Sequence, residues 1–318
     1  MTLRVALAGA GAFGTKHAEA IASIDDVEVA AIVSRSQSGA EVFAETHGIE
    51  RASSSLSDVL TDSTIDAVIL ATPTHLHATQ AIDALKAGKH VQIEIPLCDR
   101  LDDGLAVAEA QRVTGLVAMC GHTRRFNPSH QWVHNRVVAS DFSLQHLDVQ
   151  TLFFRRTNTN ARGEPRSWTD HLLWHHAAHT VDLFLYQTGS RIVTARALQG
   201  PVHPDLGIAM DMSIQMKTEN GALCTLALSF NNEGPLGTFF RYIGDTGTYM
   251  ARYDELIDGY GDPIDVSGVA VSMNGIELQD REFFYAIKQG REPNASVADV
   301  LPTYQILNDL EIQLGEGS

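Results

Sequence analysis

Four of the chain's 14 histidines fall within nine residues, at His171, His175, His176 and His179. Imidazole has a reference pKa of about 6.5, close to working pH, which suits it to take a proton from a hydroxyl during an oxidation. In a helix, residues 171, 175 and 179 stand four apart and share one face. His179 is the candidate general base, accepting a hydroxyl proton as the neighbouring C–H leaves as hydride, while His175 or His176 would orient it or bind the hydroxyl. An i, i+4 histidine pair can also bind zinc. A catalytic zinc usually takes three protein ligands, however, and H-E-x-x-H is missing, so no metal is expected. A third reading, histidines hydrogen-bonded in a buried helix seam, is the favoured one for His171.

Charge adds a second signal. Arg124, Arg125, Arg155, Arg156, Arg162 and Arg166 crowd one stretch, whereas no lysine occurs between Lys89 and Lys217. The guanidinium fork meets a carboxylate in two bonds, so the stretch reads as a pocket for a small carboxylate, with solvated surface arginines as the alternative. Arg124 and one or more of Arg155, Arg156 and Arg166 are the candidate clamp, with Trp168 at the end of the polar loop 155–167 beside them. Cys98 is the other conceivable reactive group, since a thiolate can attack an aldehyde. Buried free cysteines are usually inert, which disfavours it.

A departing hydride needs an acceptor. An apolar run over 3–9 ends in Gly9-Ala-Gly11-Ala12-Phe13-Gly14, and a helical stretch 15–24 and a second strand Val27–Val33 follow. That context gives G-x-G-x-x-G its meaning as a dinucleotide site. Gly9 allows the tight turn, Gly11 lets the backbone approach the pyrophosphate, Gly14 lets helix and strand pack, and the helix N-terminus offers N–H groups to the phosphates. An NAD site usually ends its second strand in Asp or Glu, to bind the ribose 2′-hydroxyl. Here the chain reads Ser34-Arg35-Ser36. A guanidinium and two hydroxyls suit a 2′-phosphate, so NADP is favoured, with NAD tolerated.

These side chains must be carried on elements. Strands at 64–72, 90–95 and 116–121, separated by helices of which 78–87 is the clearest, imply a parallel doubly wound sheet. Ligands of such sheets sit at the carboxyl ends of the strands. That places Thr72, Pro73, Thr74, His75 and His77, with Glu94 and Ile95, beside the nicotinamide. After Gly121 the alternation stops. Helices at 128–138 and 169–187 accompany strands at 145–154, 192–198, 210–216, 222–230, 239–243 and 248–253, and helices at 280–289 and 297–313 close the chain. The expected architecture is α/β: a Rossmann domain over 1–121, and a C-terminal α+β domain over 122–318 with an open, mostly antiparallel sheet. The free face of that sheet must be covered, and self-association into a homodimer or homotetramer is the expected way.

Composition narrows the function classes. A formal net charge of −16 argues against nucleic acid or anionic membrane as partner. No apolar run approaches the roughly 18 residues of a membrane helix. The amino terminus enters a strand without a basic, apolar leader, and three scattered cysteines suit a reducing compartment. A cytoplasmic enzyme is expected.

The motifs Thr72-Pro-Thr-His-Leu-His77, Ala87-Gly-Lys-His-Val91, Glu94-Ile-Pro96 and Arg125-Phe-Asn-Pro128, with the tail Phe283–Pro293, resemble the glucose–fructose oxidoreductase / inositol dehydrogenase / MocA family over essentially the whole chain. The resemblance implies a nicotinamide-dependent oxidoreductase. Ile95 stands where most relatives carry a substrate-binding lysine, and His175-x-x-x-His179 stands at the family's D-x-x-x-H. Both departures point away from a simple polyol. The segments Phe153-Phe-Arg-Arg156, 163–182 and Ser229-Phe-Asn-Asn232 are similar to family members that are NADP-linked and serve the bacterial protocatechuate 4,5-cleavage pathway. That similarity implies a dicarboxylate substrate, oxidised as its cyclic hemiacetal to a lactone. Two rivals stay open: a polyol or sugar dehydrogenase of the same family, and a non-catalytic dinucleotide-sensing protein.

Overall fold

Continuous apolar runs fit strands buried on both faces. The computed structural model describes residues 2–159, 163, 165–166, 169–269 and 275–316. Six runs form one parallel sheet: β1 (Leu3–Ala8), β2 (Val27–Val33), β3 (Arg51–Ser53), β4 (Ala67–Leu70), β5 (His90–Ile93) and β6 (Ala118–Cys120). Their order is β3-β2-β1-β4-β5-β6. The chain therefore winds outward from β1 in both directions, and the reversal between β1 and β4 opens a crevice at the carboxyl ends, where such folds bind dinucleotides. Val5 to Ala8 and Ala67 to Leu70 are fully buried and form the centre of this core.

Alternating runs build the second sheet from β7 (Leu144–Leu152), β8 (Ile192–Gln199), β9 (Asp211–Thr218), β10 (Leu223–Ser229), β11 (Gly237–Gly244), β12 (Gly247–Arg252) and β13 (Glu255–Asp258). The order is β13-β12-β11-β7-β10-β9-β8, with only β7 and β10 parallel. On β9, Met212, Ile214 and Met216 point inward while Ser213, Gln215 and Lys217 face solvent. The helical segment after residue 171 packs against β7, β9 and β10. The opposite face carries Asp148, Gln150, Arg241 and Met250 around a shallow groove.

Two features differ from the sequence expectation. The histidine segment is not one α-helix over 169–187: Leu172–Ala177 form a π-helical turn, the α-helix runs Ala178–Thr188, and His171 is extended. The i→i+5 winding of a π turn changes the angular step, so His171, His175 and His179 do not line one face. The chain also divides into two compact units, 1–122 with 276–301 and 123–275 with 302–318. Residues 276–301 return to the first unit because Asp280, Phe283 and Phe284 are buried there.

Candidate functional site

The glycine loop of the first unit is shaped by contact. Gly9 has φ +118°, and a Cβ on it would lie 2.3 Å from the Ala71 carbonyl oxygen. A Cβ on Gly14 would meet the Gly9 oxygen at 1.9 Å, whereas one on Gly11 would meet nothing within 4 Å. Gly9 and Gly14 are thus required by packing, while the space over Gly11 is open. The helix Ala12–Ile21 starts there with no side-chain cap, Ala12 and Phe13 are exposed, and its first N–H groups can meet an anion. These residues fit a dinucleotide pyrophosphate. Arg35 is exposed beyond β2, Ser34 is half-buried, and Ser36 Oγ already accepts a bond from the Gly39 N–H at 3.1 Å. The Ser36 hydroxyl therefore caps the next helix and keeps its proton to donate to a phosphate.

At the ends of β4 and β5, Thr72 Oγ1 donates to Gln80 Oε1 at 2.6 Å and Thr74 is buried, while Pro73 and Ile95 are half-buried and His75 is exposed. His77 Nδ1 and Nε2 lie 2.8 and 2.7 Å from the carbonyls of Pro96 and Thr72. The ring is buried and ties the two strand ends together, so it serves the loops rather than a ligand. Burial pushes its pKa down, the two carbonyl bonds only partly offsetting that.

Glu94 is also turned inward. Its Oε1 accepts from His17 Nε2 and from Gln279 Nε2, each at 3.1 Å, and the other ring nitrogen, His17 Nδ1, donates to Asp280 Oδ2 at 2.9 Å. His17 is completely buried. Burial favours the neutral ring, but the Asp280 charge and the bonds to Asp280 and Glu94 prevail and raise its pKa to about 10. Both ring nitrogens face carboxylates, so both must donate and the imidazolium is the resident form. Sequence reading missed this cluster. The available signal was a histidine on the apolar face of the first helix, beside Ala18 and Ile21.

Burial raises the pKa of the Cys98 thiol to about 12, against weaker bonds from Arg100 and Gly104. A thiol held that way is no nucleophile.

In the second unit the arginines are not equivalent. Arg155 meets Asp170 through both Nη atoms, Nη2 to Oδ2 at 2.7 Å, and Arg166 Nη1 reaches Asp170 Oδ1 at 2.8 Å. His176 Nε2 lies 3.2 Å from Asp170 Oδ2, its ring flanked by Phe153 and Phe230. Burial pushes the Asp170 carboxyl up, but the bonds from His176 and Arg155 overcome that and hold it far below the usual carboxylate range. Asp170 is the residue that sequence reasoning overlooked here. Arg156 is exposed, over the Phe154 ring, with Nη1 bonded to the Arg155 carbonyl at 2.7 Å.

Arg124 differs from these. Among the described residues no carboxylate lies within ion-pair distance; its Nη1 donates only to Asn127 Oδ1 at 3.3 Å, and it stacks near Phe240 and Tyr253. Burial lowers its pKa, Tyr253 and Asp254 partly offsetting. Asp254 acts on this shielded cation without a direct ion pair, which leaves it able to meet a further anion. His175 Nδ1 accepts from the His171 N–H at 3.3 Å. His179 sits half-buried in the first turn of the α-helix. Trp168 lies outside the described residues. Among those described, no helix is long and apolar enough to cross a membrane.

Residues 3–122 match the family described as "Oxidoreductase family, NAD-binding Rossmann fold", and residues 128–270 match "Bacterial oxidoreductases, C-terminal". The chain is 62% identical over 312 residues to 4-carboxy-2-hydroxymuconate-6-semialdehyde dehydrogenase of Sphingobium sp. (strain NBRC 103272 / SYK-6), covering 98% of this chain and 99% of that protein. It is 26% identical to scyllo-inositol 2-dehydrogenase (NAD(+)) of Bacillus subtilis (strain 168), over 69% of this chain and 65% of that one. Levoglucosan dehydrogenase in complex with NADH superposes with a TM-score of 0.87 at 20% identity, over 100% of this chain and 98% of that one. An oxidoreductase from Agrobacterium radiobacter in complex with NAD+, L-tartaric acid and magnesium gives 0.87 at 19%, with the same coverage. At these identities the structural likeness speaks for the fold alone.

Proposed function

This chain belongs to the glucose–fructose oxidoreductase / inositol dehydrogenase / MocA family, and from that premise we propose that it is an NADP-dependent dehydrogenase. Its substrate in this reading is the cyclic hemiacetal of 4-carboxy-2-hydroxymuconate-6-semialdehyde, and its product the lactone 2-pyrone-4,6-dicarboxylate. The carrying observation is the 62% identity, over nearly the full length of both chains, to a dehydrogenase of that semialdehyde.

The residues divide the work. The Gly9–Gly14 loop and the N-terminus of the following helix hold the pyrophosphate, and Arg35 with Ser34 and Ser36 holds the 2′-phosphate. When bound there, the nicotinamide would supply the acceptor for the hydride that leaves the hemiacetal carbon. His179, or His176 in its place, takes the hydroxyl proton, so the C–O bond becomes the lactone carbonyl, and the neighbouring imidazoles, His175 among them, orient the hydroxyl. Arg124, which forms no ion pair with a carboxylate among the described residues, receives a substrate carboxylate. Its charge supports a dicarboxylate over a neutral polyol. The open face of the second sheet, with Asp148, Gln150, Arg241 and Met250, is proposed to pair copies of the chain into a dimer or tetramer, in a cytoplasmic setting.

Cofactor reduction, followed by absorbance on mixing the protein with NADP or NAD and a substrate, tests the reading. Reduction with the dicarboxylic semialdehyde, faster with NADP, is expected. Turnover of inositol or glucose instead would favour a polyol dehydrogenase, and dinucleotide binding without any reduction would favour a sensing role.

A further inference from the structure

Two guanidiniums and an imidazole converge on Asp170, which is itself only 12% exposed. An ionised carboxylate can only accept hydrogen bonds. The contact at 3.2 Å therefore puts the His176 proton on Nε2, donating to Asp170 Oδ2, and a neutral ring so held presents its lone pair at Nδ1. The tautomer of a histidine is set by the partner of its other nitrogen. The same carboxylate neutralises Arg155 and Arg166, which removes them as seats for a second carboxylate.

We propose that Asp170 is the positioning residue of this site: it locks His176 with Nδ1 as the acceptor of the substrate hydroxyl proton, His179 then orienting that hydroxyl, and it ties Arg155 and Arg166 into a frame that holds the His176 ring. The assignment of the hydroxyl rests on the proposed function; the tautomer does not. The frame has three sides. Arg155 packs 4.5 Å over Phe230, and that same Phe230 closes one wall of the His176 slot. Arg166 approaches Asp170 Oδ1, while Arg155 Nη2 and His176 share Oδ2.

This sharing predicts what Asp170→Asn does. The amide oxygen goes to the side where Arg155 Nη1 and Arg166 donate, because an NH2 group there would face two guanidinium donors, against one, Arg155 Nη2, on the side where the His176 proton can move away. The amide NH2 then faces His176 and donates to Nε2, which drives the ring proton to Nδ1 and removes the acceptor. Nitrogen-15 NMR of histidine-labelled protein reads this directly, with the His176 signals identified by their loss in His176→Gln.

Wild-type protein is expected to carry Nε2–H at His176, and Asp170→Asn to carry Nδ1–H with kcat down at least about a hundredfold, the size of an acid–base contribution, and KM changed only a few-fold. Nδ1–H in the wild type overturns the proposal even if the variant does not fold. A folded variant that keeps Nε2–H, or keeps normal kcat with the semialdehyde, overturns it as well. If the wild type shows Nε2–H but never turns over the semialdehyde, the substrate reading has failed and the hydroxyl assignment falls with it, while the lock on the ring stands.

Discussion

His17 Nδ1 lies 2.9 Å from Asp280 Oδ2, joining two fully buried residues 263 positions apart. Glu94 completes the cluster from the end of β5. The folded-state pKa of His17 is raised to about 10, above its unfolded value of about 6.5. A raised pKa contributes stability that is fully present below the unfolded value and is lost as pH rises through the folded one. His17→Gln leaves two buried carboxylates facing each other without their cation, and breaking a buried pair costs about 3–5 kcal/mol. Denaturant melts should show that gap near pH 6.5 and a narrowing gap toward pH 10. A gap that is constant across this range would mean that His17 is not charged.

Arg124→Ala should raise KM for the dicarboxylate about 30-fold or more, equivalent to the roughly 2 kcal/mol or more lost on truncating one partner of a shielded charge pair. Melting temperature should move little, because Asp254, the carboxylate whose charge Arg124 offsets, keeps its hydrogen bond from Asn127. Steady-state kinetics with a matched melt separates these outcomes.

His179→Ala should lower kcat at least about a hundredfold while the protein stays folded. Near-normal turnover in a folded variant would transfer the role to another imidazole, and His176 is the one that already has a carboxylate partner.

Arg35→Asp should weaken NADP at least about tenfold and improve NAD, since a carboxylate repels a 2′-phosphate and binds a 2′-hydroxyl. The ratio of KM values for the two cofactors measures it.

Cys98→Ser should keep full turnover. The thiol is 1% exposed and its pKa is raised to about 12. Loss of activity together with loss of a pre-steady-state burst would reinstate a thiohemiacetal route.

What was legible in the sequence was local. The Ala71 carbonyl that crowds Gly9 comes from a distant strand end, whereas Gly14 could be read from six residues, because the Gly9 carbonyl that crowds it is a neighbour in the chain. The alternation on β9 made Met212, Ile214 and Met216 core residues for the same reason. The His17–Asp280 contact was invisible because its partners sit at opposite ends of the chain, and residues 276–301 return to the first unit through that contact among others. The π turn at Leu172–Ala177 escaped because a run of apolar residues and histidines does not distinguish i+4 from i+5 winding. Asp170 escaped because an acid among arginines looks like surface charge until the fold brings three donors onto one carboxylate. The sequence offered Arg124 with one or more of Arg155, Arg156 and Arg166 as a carboxylate clamp; in the structure Arg155 and Arg166 meet Asp170.

The most direct test of the central claim uses the semialdehyde deuterated at its aldehyde carbon, with NADP and enzyme, and identifies both products by NMR. Deuterium is expected at C4 of the reduced nicotinamide, with the lactone as first product. Reduced cofactor without deuterium, or an open-chain acid formed first, would contradict that claim.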